Sequence, residues 1–388
     1  VAQARVVTYD LVVLGLGGMG SSAAAHAARR GRRVLGVERF ARGHDLGASG
    51  GRSRIIRKAY FEHPAYVPLL LRAYELWHEL ERATNVRILD LVGLLLVGEP
   101  ESATLAGAMT SAREHDLPIE YLESADMRVR FPGVSPRPHE AGIFERDAGM
   151  VFPEAAIGAH LAVAEAAGAE LRFETAVERY ASDRDAIAIT LGDGSVVRTA
   201  RLAICAGPWL ARAFASLPFA LRLQRNVQIW FRPANDAFSS DRFPAFFVER
   251  PEWPAPLYGF PDHGAGVKAA LHAWGDDTTP DHLRRNIDAN DIARVRSVLD
   301  EWMPGAAQTS LEGKACMYAL TPDRHFVIDR DPSDTRVVIA GGFSGHGFKF
   351  ASVVGEIVAD LAFDGGTRHP IGFLGLDRFA LAAEPASS

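Results

Sequence analysis

Gly15-Leu16-Gly17-Gly18-Met19-Gly20 fits the spacing GxGxxG, and 18 positions past Gly20 stands Glu38. Glycines so spaced permit a tight turn and let a pyrophosphate approach a helix N-terminus, where N–H groups and the helix dipole favour negative charge. An acid at the distance of Glu38 is placed to accept from an adenosine ribose. This predicts dinucleotide binding, with FAD and NAD not separated. A second glycine run, Gly342-Phe343-Ser344-Gly345-His346-Gly347-Phe348-Lys349-Phe350, also leads into a helical pattern. Its dipole suits the negative charge that a reduced flavin develops, whereas a nicotinamide gains no comparable charge on reduction. His346, between two glycines, reads as a turn or packing residue. Lys349 stands at the helix end that disfavours a cation, a placement explained if an anion lies opposite it. Only Lys58, Lys268, Lys314 and Lys349 are lysines among 42 basic residues, so a compact ammonium in this arginine-rich chain is itself a weak signal.

These residues need elements to hold them. Tyr9 to Leu14 reads as a buried strand, the alanine-rich stretch to Arg30 as a helix and Arg33 to Val37 as a second strand, which makes a βαβ opening. Pro68 starts a helix with Leu69, Ala73, Leu76, Trp77 and Leu80 on one face. Short strands near Leu91 to Val97 and Glu140 to Phe144 enclose a helix near Ser102 to Glu114. Ala155 to Ala167 is a helix, Ala176 to Thr199 strands around a Gly192 to Ser195 turn, and Arg201 to Ala206 a strand ending at Gly207. The stretch from Leu221 to Ala270 is strand-rich, and a helix carrying Ile292, Val295, Leu299 and Trp302 closes at Pro304. Arg336 to Ala340 is a strand and Phe350 to Phe363 an amphipathic helix.

At 388 residues the chain exceeds what one core usually serves, so two domains, or one with a large insertion, are expected. Hydrophobic residues at 48% and a formal charge of -6 disfavour a general nucleic-acid or anionic-membrane binder. Cys205 and Cys316 are too few for a disulfide framework, no Cys/His cluster suggests a metal, and a reducing cytoplasm is the expected compartment. Leu11 to Ala28 lacks charge, but its glycines and serines break the apolar run that a signal peptide or membrane span requires. Ala382 to Ser388 reads as a small-residue tail with no anchor.

Assembled, the chain resembles the monomeric sarcosine oxidase and N-methyltryptophan oxidase family of FAD-dependent amine oxidases. Five blocks carry the resemblance: Tyr9 to Gly20; Arg54-Ile55-Ile56-Arg57-Lys58-Ala59-Tyr60; Tyr258-Gly259-Phe260-Pro261 with Lys268 and His272; Cys316-Met317-Tyr318 with Thr321-Pro322-Asp323; and Gly342 to Phe350 running into Ala351-Ser352-Val353-Val354-Gly355-Glu356. It implies an α/β fold with a Rossmann-like FAD domain built from 1–86, 151–217 and 318–388, and a β-sheet-rich substrate domain from 87–150 and 218–317. It implies FAD joined through its 8α-methyl carbon to Cys316 as a thioether, while Cys205 keeps the reading of a buried small hydrophobe. The implied cofactor-binding set is Gly15, Gly17, Gly18, Met19, Gly20, Glu38, Ser49, Arg54, Val177, Gly207, Cys316, Gly345, Gly347 and Lys349. Arg57 and Lys349 are implied to hold the substrate carboxylate, one as a fork and one as a point charge. Tyr258, His272 and Tyr318 are implied to line the substrate cavity, Arg54 to lie beside the flavin, and Lys268 to promote its reaction with oxygen.

The activity implied is oxidation of a secondary amino acid to an imine that water hydrolyses, with O2 reduced to hydrogen peroxide, in a monomer without nucleic-acid or membrane partners. An N-methyl amino acid would yield formaldehyde and the free amino acid. Alternatives are a dehydrogenase passing electrons to a carrier protein, a pipecolate- or proline-type oxidase, and a nucleotide-binding module without activity. Two departures stand out. Ala48-Ser49-Gly50-Gly51-Arg52-Ser53 lacks the one or two histidines that relatives commonly carry before the arginine matching Arg54, and the interval from Tyr258 to Lys268 is one residue shorter than in sarcosine oxidase.

Overall fold

The β-branched run after Tyr9 buries both of its faces. Leu11 and Val13 pack against helices, while Val12 packs into a second core on the opposite side, the alternation that a strand imposes. This strand, Leu11–Leu14, lies inside a six-stranded sheet in the order Glu170–Arg172, Val34–Val37, Leu11–Leu14, Leu202–Ile204, Asp334–Gly341, Val327–Asp331. All neighbours are parallel except the last pair. The computed structural model that shows this describes residues 8–380. The reading of the tail from Ala382 falls outside them.

The helix Gly18–Arg29 packs against Pro153–Ala166 and Ala351–Phe363 on one face of this sheet. Small side chains let these backbones approach: Ser22 Oγ donates to Ser352 O at 3.1 Å. On the other face, Ile187, Ile189, Leu191 and Val197 come from a four-stranded sheet of Thr8–Tyr9, Val196–Thr199, Ile187–Leu191 and Val177–Ser182. An eight-stranded sheet follows the order Thr309–Leu320, Arg222–Arg232, Val267–Leu271, Leu257–Phe260, Ala245–Val248, Leu94–Gly98, Ala141–Glu145, Glu120–Glu123. Leu95, Val97, Phe246 and Val248 form one core with Leu299 and Trp302 of the helix Ala289–Trp302. Leu94, Leu96, Phe247 and Tyr258 form a separate one.

Most expected elements agree to within a few residues, and the differences have local causes. The helix expected from Pro68 is Val67–Thr84, because proline is tolerated at either of the first two helical positions. A three-stranded sheet of Arg54–Ile56, Gly149–Val151 and Leu89–Asp90 joins pieces too short to show a period. The strand Thr309–Leu320 continues past residue 317, where the expected domain boundary falls. Among the described residues no helix is long and apolar enough to cross a membrane.

Candidate active site

A cavity of about 1020 Å³ runs from the Gly15–Gly20 turn to Lys349. That is the upper end of the usual range for small-molecule sites and exceeds what a mononucleotide fills. At the first end, the turn between Leu11–Leu14 and Gly18–Arg29 depends on Gly15, whose φ of +89° is left-handed and whose missing Cβ would lie 2.6 Å from Cys205 O. Gly17 is open instead: a Cβ there would meet nothing nearer than Ser49 Oγ at 3.8 Å, so backbone faces the cavity. Glu38 accepts from Leu16 N at 2.9 Å and Phe40 N at 3.1 Å. Burial raises its carboxyl, but His44 and these N–H donors outweigh that and hold it below the usual carboxylate range. An ionised acid beside an open glycine turn fits the ribose and pyrophosphate of a dinucleotide. Met19, Val177 and Gly207 also line this part, whereas Gly20 lies behind it, packed on Gly15.

At the far end two cations are buried. Arg57, 4% exposed, follows the strand Arg54–Ile56, and the carboxylate of Glu145 fixes the turn after it by accepting from Lys58 N at 2.6 Å and Ala59 N at 3.0 Å. Arg57 donates to Ala59 O at 3.0 Å and to Glu62 Oε2 at 2.6 Å. Burial opposes ionisation of Glu62, yet Arg57, with His346 and Lys349, pulls its carboxyl down to about 2. Lys349, 5% exposed, donates from Nζ to His346 O at 2.7 Å, and burial and Arg57 push its ammonium down to about 7. The glycine run does not enter the helix directly. Lys349 lies in a 3-10 turn, Phe348–Phe350, that precedes Ala351–Phe363, because residues from Gly342 to Gly347 must first bend around the cavity. Gly345 takes φ +84°, and a Cβ there would strike the Tyr318 ring. Gly347 lines the cavity with it.

Between the ends, Tyr258, His272 and Tyr318 converge from three strands or strand ends. Tyr318 Oη is 3.5 Å from both Tyr258 Oη and His272 Nδ1. Burial lowers His272 to about 4, so the ring is neutral near pH 7. Arg54 is locked to backbone, donating to Gly50 O at 2.6 Å, Ser53 O at 2.9 Å and Ala48 O at 3.1 Å. Two expected site residues stand behind the cavity wall. Cys316 Sγ is 3.4 Å from Ala48 O and 3.7 Å from Arg54 Nη2, while Ala48, Arg54 and Met317 form the lining. Lys268 Nζ donates to Gly51 O at 2.6 Å, Ser53 O at 2.9 Å and Ser53 Oγ at 3.2 Å, which gives each N–H of an ammonium an acceptor. Burial and Arg54 nevertheless push it well below the ordinary lysine value.

The departure before Arg54 has a structural counterpart. A side chain on Gly50 would meet Lys314 Nζ at 2.8 Å, and that ammonium pairs with Asp45 at 2.9 Å. Sequence reading missed Glu62 and Glu145. The first is five residues from Arg57 and shows only as a charge near a charge, and the second is distant in sequence, so nothing local marks it. Phe61 and Phe247 complete the wall beside Arg57 and His272. Cys205 is buried and its thiol pushed up to about 12, an inert packing group beside Gly15 and Gly20.

Residues 10–361 match the family model described as FAD dependent oxidoreductase. The chain is 43% identical over 385 residues to a monomeric sarcosine oxidase of Streptomyces avermitilis, covering 98% of this chain and 99% of that one. It is 33% identical over 376 residues to an N-methyl-L-tryptophan oxidase of Yersinia pestis, covering 96% and 99%. Its fold matches that of L-proline dehydrogenase from P. horikoshii with a TM-score of 0.85 at 21% identity, covering 97% of this chain and 98% of that one.

Proposed function

The chain belongs to the FAD dependent oxidoreductase family, among its monomeric sarcosine and N-methyltryptophan oxidases, and from that premise we propose that it oxidises a small secondary amino acid at the carbon–nitrogen bond. The observation that carries this reading is the pair of buried cations, Arg57 and Lys349, lining the same cavity as the dinucleotide cradle. A fork and a point charge at one desolvated spot suit a carboxylate. When bound, FAD supplies the hydride acceptor and the route by which two electrons reach O2, giving hydrogen peroxide.

The chain's own residues bind and orient. Arg57 and Lys349 hold the substrate carboxylate, which fixes the distance of the amine from the cavity's centre. Tyr258, His272 and Tyr318 enclose the amine and its substituent. Because His272 is neutral near pH 7, it offers a lone pair or an N–H without adding a positive charge beside the amine. The substrate leaves as an imine, and water splits it to an amino acid and a carbonyl compound. Glu38 and the Gly15–Gly20 turn hold the ADP half of the cofactor, with Met19, Ser49, Val177 and Gly207 lining its channel. Gly345 and Gly347 hold the turn beside the flavin. We place Lys268 in the oxygen half of the reaction, as a fixed cation behind the Gly51–Ser53 loop that stabilises charge developing on oxygen. We assign 1–86, 151–217 and 321–388 to FAD binding and 87–150 and 218–320 to the substrate side, with the last boundary moved from 317 to the end of the strand Thr309–Leu320.

A peroxide-coupled screen of sarcosine, other N-methyl amino acids, proline and pipecolate tests the reading. Peroxide with one of the first two is expected. Turnover seen only with an artificial electron acceptor would assign a dehydrogenase instead. The same reading joins Cys316 to the cofactor as a thioether, supported by its thiol lying against Ala48 and Arg54 of the cavity wall. Denaturing electrophoresis should show a fluorescent flavin band that Cys316→Ala abolishes. Complete release of flavin on acid precipitation of the unaltered protein would remove the covalent link.

A further inference from the structure

Arg57 and Lys349 are buried near enough for one charge to act on the other, and two buried cations repel, so something must hold them there. Both lie over a single ring: the Arg57 guanidinium carbon is 4.3 Å, and Lys349 Nζ 5.2 Å, from the centroid of Tyr60. Both distances are within cation–π range, where desolvation strengthens the attraction. Tyr60 is wholly buried and does not line the cavity. It is fixed by its carbonyl, which accepts from Ser111 Oγ at 2.6 Å, and by an edge contact with Phe350 at 5.3 Å between centroids.

Its hydroxyl is hydrogen-bonded to His346 Nδ1, and the other nitrogen of that imidazole settles the direction of the bond. His346 Nε2 lies 3.0 Å from Arg324 O. A carbonyl only accepts, so Nε2 carries the proton, Nδ1 the lone pair, and the phenol donates. Burial agrees with this, raising the Tyr60 phenol well above its ordinary value and lowering His346 to about 3. His346 then presents its backbone carbonyl to Lys349 Nζ. The ring thus faces both cations, and the hydroxyl holds the residue whose carbonyl anchors one of them.

We propose that Tyr60 is a positioning residue for the carboxylate-binding pair: its ring holds Arg57 and Lys349 together, and its hydroxyl, through His346, fixes the loop that anchors Lys349. The inference rests on reading those two cations as the carboxylate site. It separates from a plain core role because packing alone would affect stability without selecting among ligands, whereas positioning sets carboxylate affinity.

Methoxyacetate is a suitable probe, carrying the carboxylate of an N-methyl amino acid but an ether oxygen in place of the amine. Its binding to the FAD-loaded protein is measured by calorimetry for unaltered protein, Tyr60→Leu, Tyr60→Phe and Lys349→Met. Tyr60→Leu should weaken it about tenfold or more, the loss expected for two desolvated cation–π contacts. Tyr60→Phe keeps the ring and loses the phenol's bond, and should weaken it about threefold. For an oxidised substrate, KM should rise in both variants more than kcat falls. If Lys349→Met weakens the probe while both Tyr60 variants bind it as the unaltered protein does, the positioning role falls and the carboxylate site stands. If Lys349→Met also leaves binding unchanged, both fall. Should Tyr60→Leu fail to fold, Tyr60→Phe decides: a threefold loss with a raised KM supports the role, and an unchanged Kd and KM overturns it.

Discussion

At the Gly15–Gly20 end of the cavity the recognising surface is mostly backbone, with one carboxylate, Glu38, held by two backbone N–H groups. At the Arg57–Lys349 end it is charged side chains, each buried and each held by carbonyls, aromatic rings or the opposite charge of Glu62. At the first end Gly15 tolerates no added atom, because its left-handed backbone lies against Cys205 O. The second depends on charge balance, because a cation out of water persists only while its partners compensate lost hydration. A site for a large, invariant cofactor can be preformed by backbone. The Arg57–Lys349 end carries its own counter-charge in Glu62, as a site for a small anion that must come and go would need.

The comparison predicts different ways to break each end. Gly15→Val changes no charge, yet strains φ +89° and drives a Cβ against Cys205 O. Backbone strain and overpacking together cost about 2–6 kcal/mol, so the protein should purify without visible flavin absorbance and melt at lower temperature. Normal flavin content would show that the turn relaxes and the cradle is not shape-limited. Lys349→Met changes little in shape and removes a charge. Losing one charge-assisted bond at this buried site should cost about 1.5–3 kcal/mol, or roughly 10- to 150-fold in kcat/KM, with flavin content kept. Loss of flavin along with activity would place Lys349 in the cofactor cradle instead.

What could be read in the sequence divides along the same line. The glycine turn, its helix and Glu38 are local features with fixed spacing, and the structure brings them together at the cavity's first end. The strands and helices around them follow from period, alanine content and turn residues. The Arg57–Lys349 end is tertiary. Glu145 reaches Lys58 and Ala59 from 86 or more residues away, and no pattern near either residue announces the contact. Lys349 was visible as an odd lysine at a helix start, but the 3-10 turn that carries it was not, because such turns have no strong period of their own. The resemblance named Cys316 and Lys268 but could not show that both sit behind a wall formed by the Ala48–Arg54 loop.

A milder perturbation tests the charge balance without altering any residue. The ammonium of Lys349 is held near 7 by burial and by Arg57 and Arg54, against the opposing pull of Glu62. The two imidazoles nearby, His272 at about 4 and His346 at about 3, stay neutral above pH 6. A bound carboxylate favours the charged lysine, so its value is higher in the complex than in the free protein. Below pH 7 both states are protonated and methoxyacetate affinity should be flat. Above pH 7 the free protein loses the proton and binding must take it back, so Kd should rise by up to about tenfold per pH unit until the complex also titrates. Calorimetry in buffers of different ionisation enthalpy would show proton uptake near pH 8. No uptake would mean that Lys349 stays charged in the free protein.

Glu62→Gln is expected to have the smallest effect on affinity, and its direction is informative. The Glu62 carboxylate is bonded to Arg57 at 2.6 Å and adds to the charge balance at Lys349. An incoming carboxylate must share or displace that partner, and two anions at one guanidinium repel. Replacing Glu62 by a neutral amide of similar shape removes the competitor, so below pH 7 methoxyacetate should bind a few-fold more tightly, on the scale of one partly compensated ion pair. The same change removes a charge that raises Lys349, so the pH at which binding begins to weaken should move below 7. The two effects oppose each other above neutrality, where the gain should shrink or reverse. Tighter binding at pH 6 with an earlier pH break is the expected pair of results. Weaker binding at both pH values would mean that Glu62 holds Arg57 in place for the ligand rather than standing in for it.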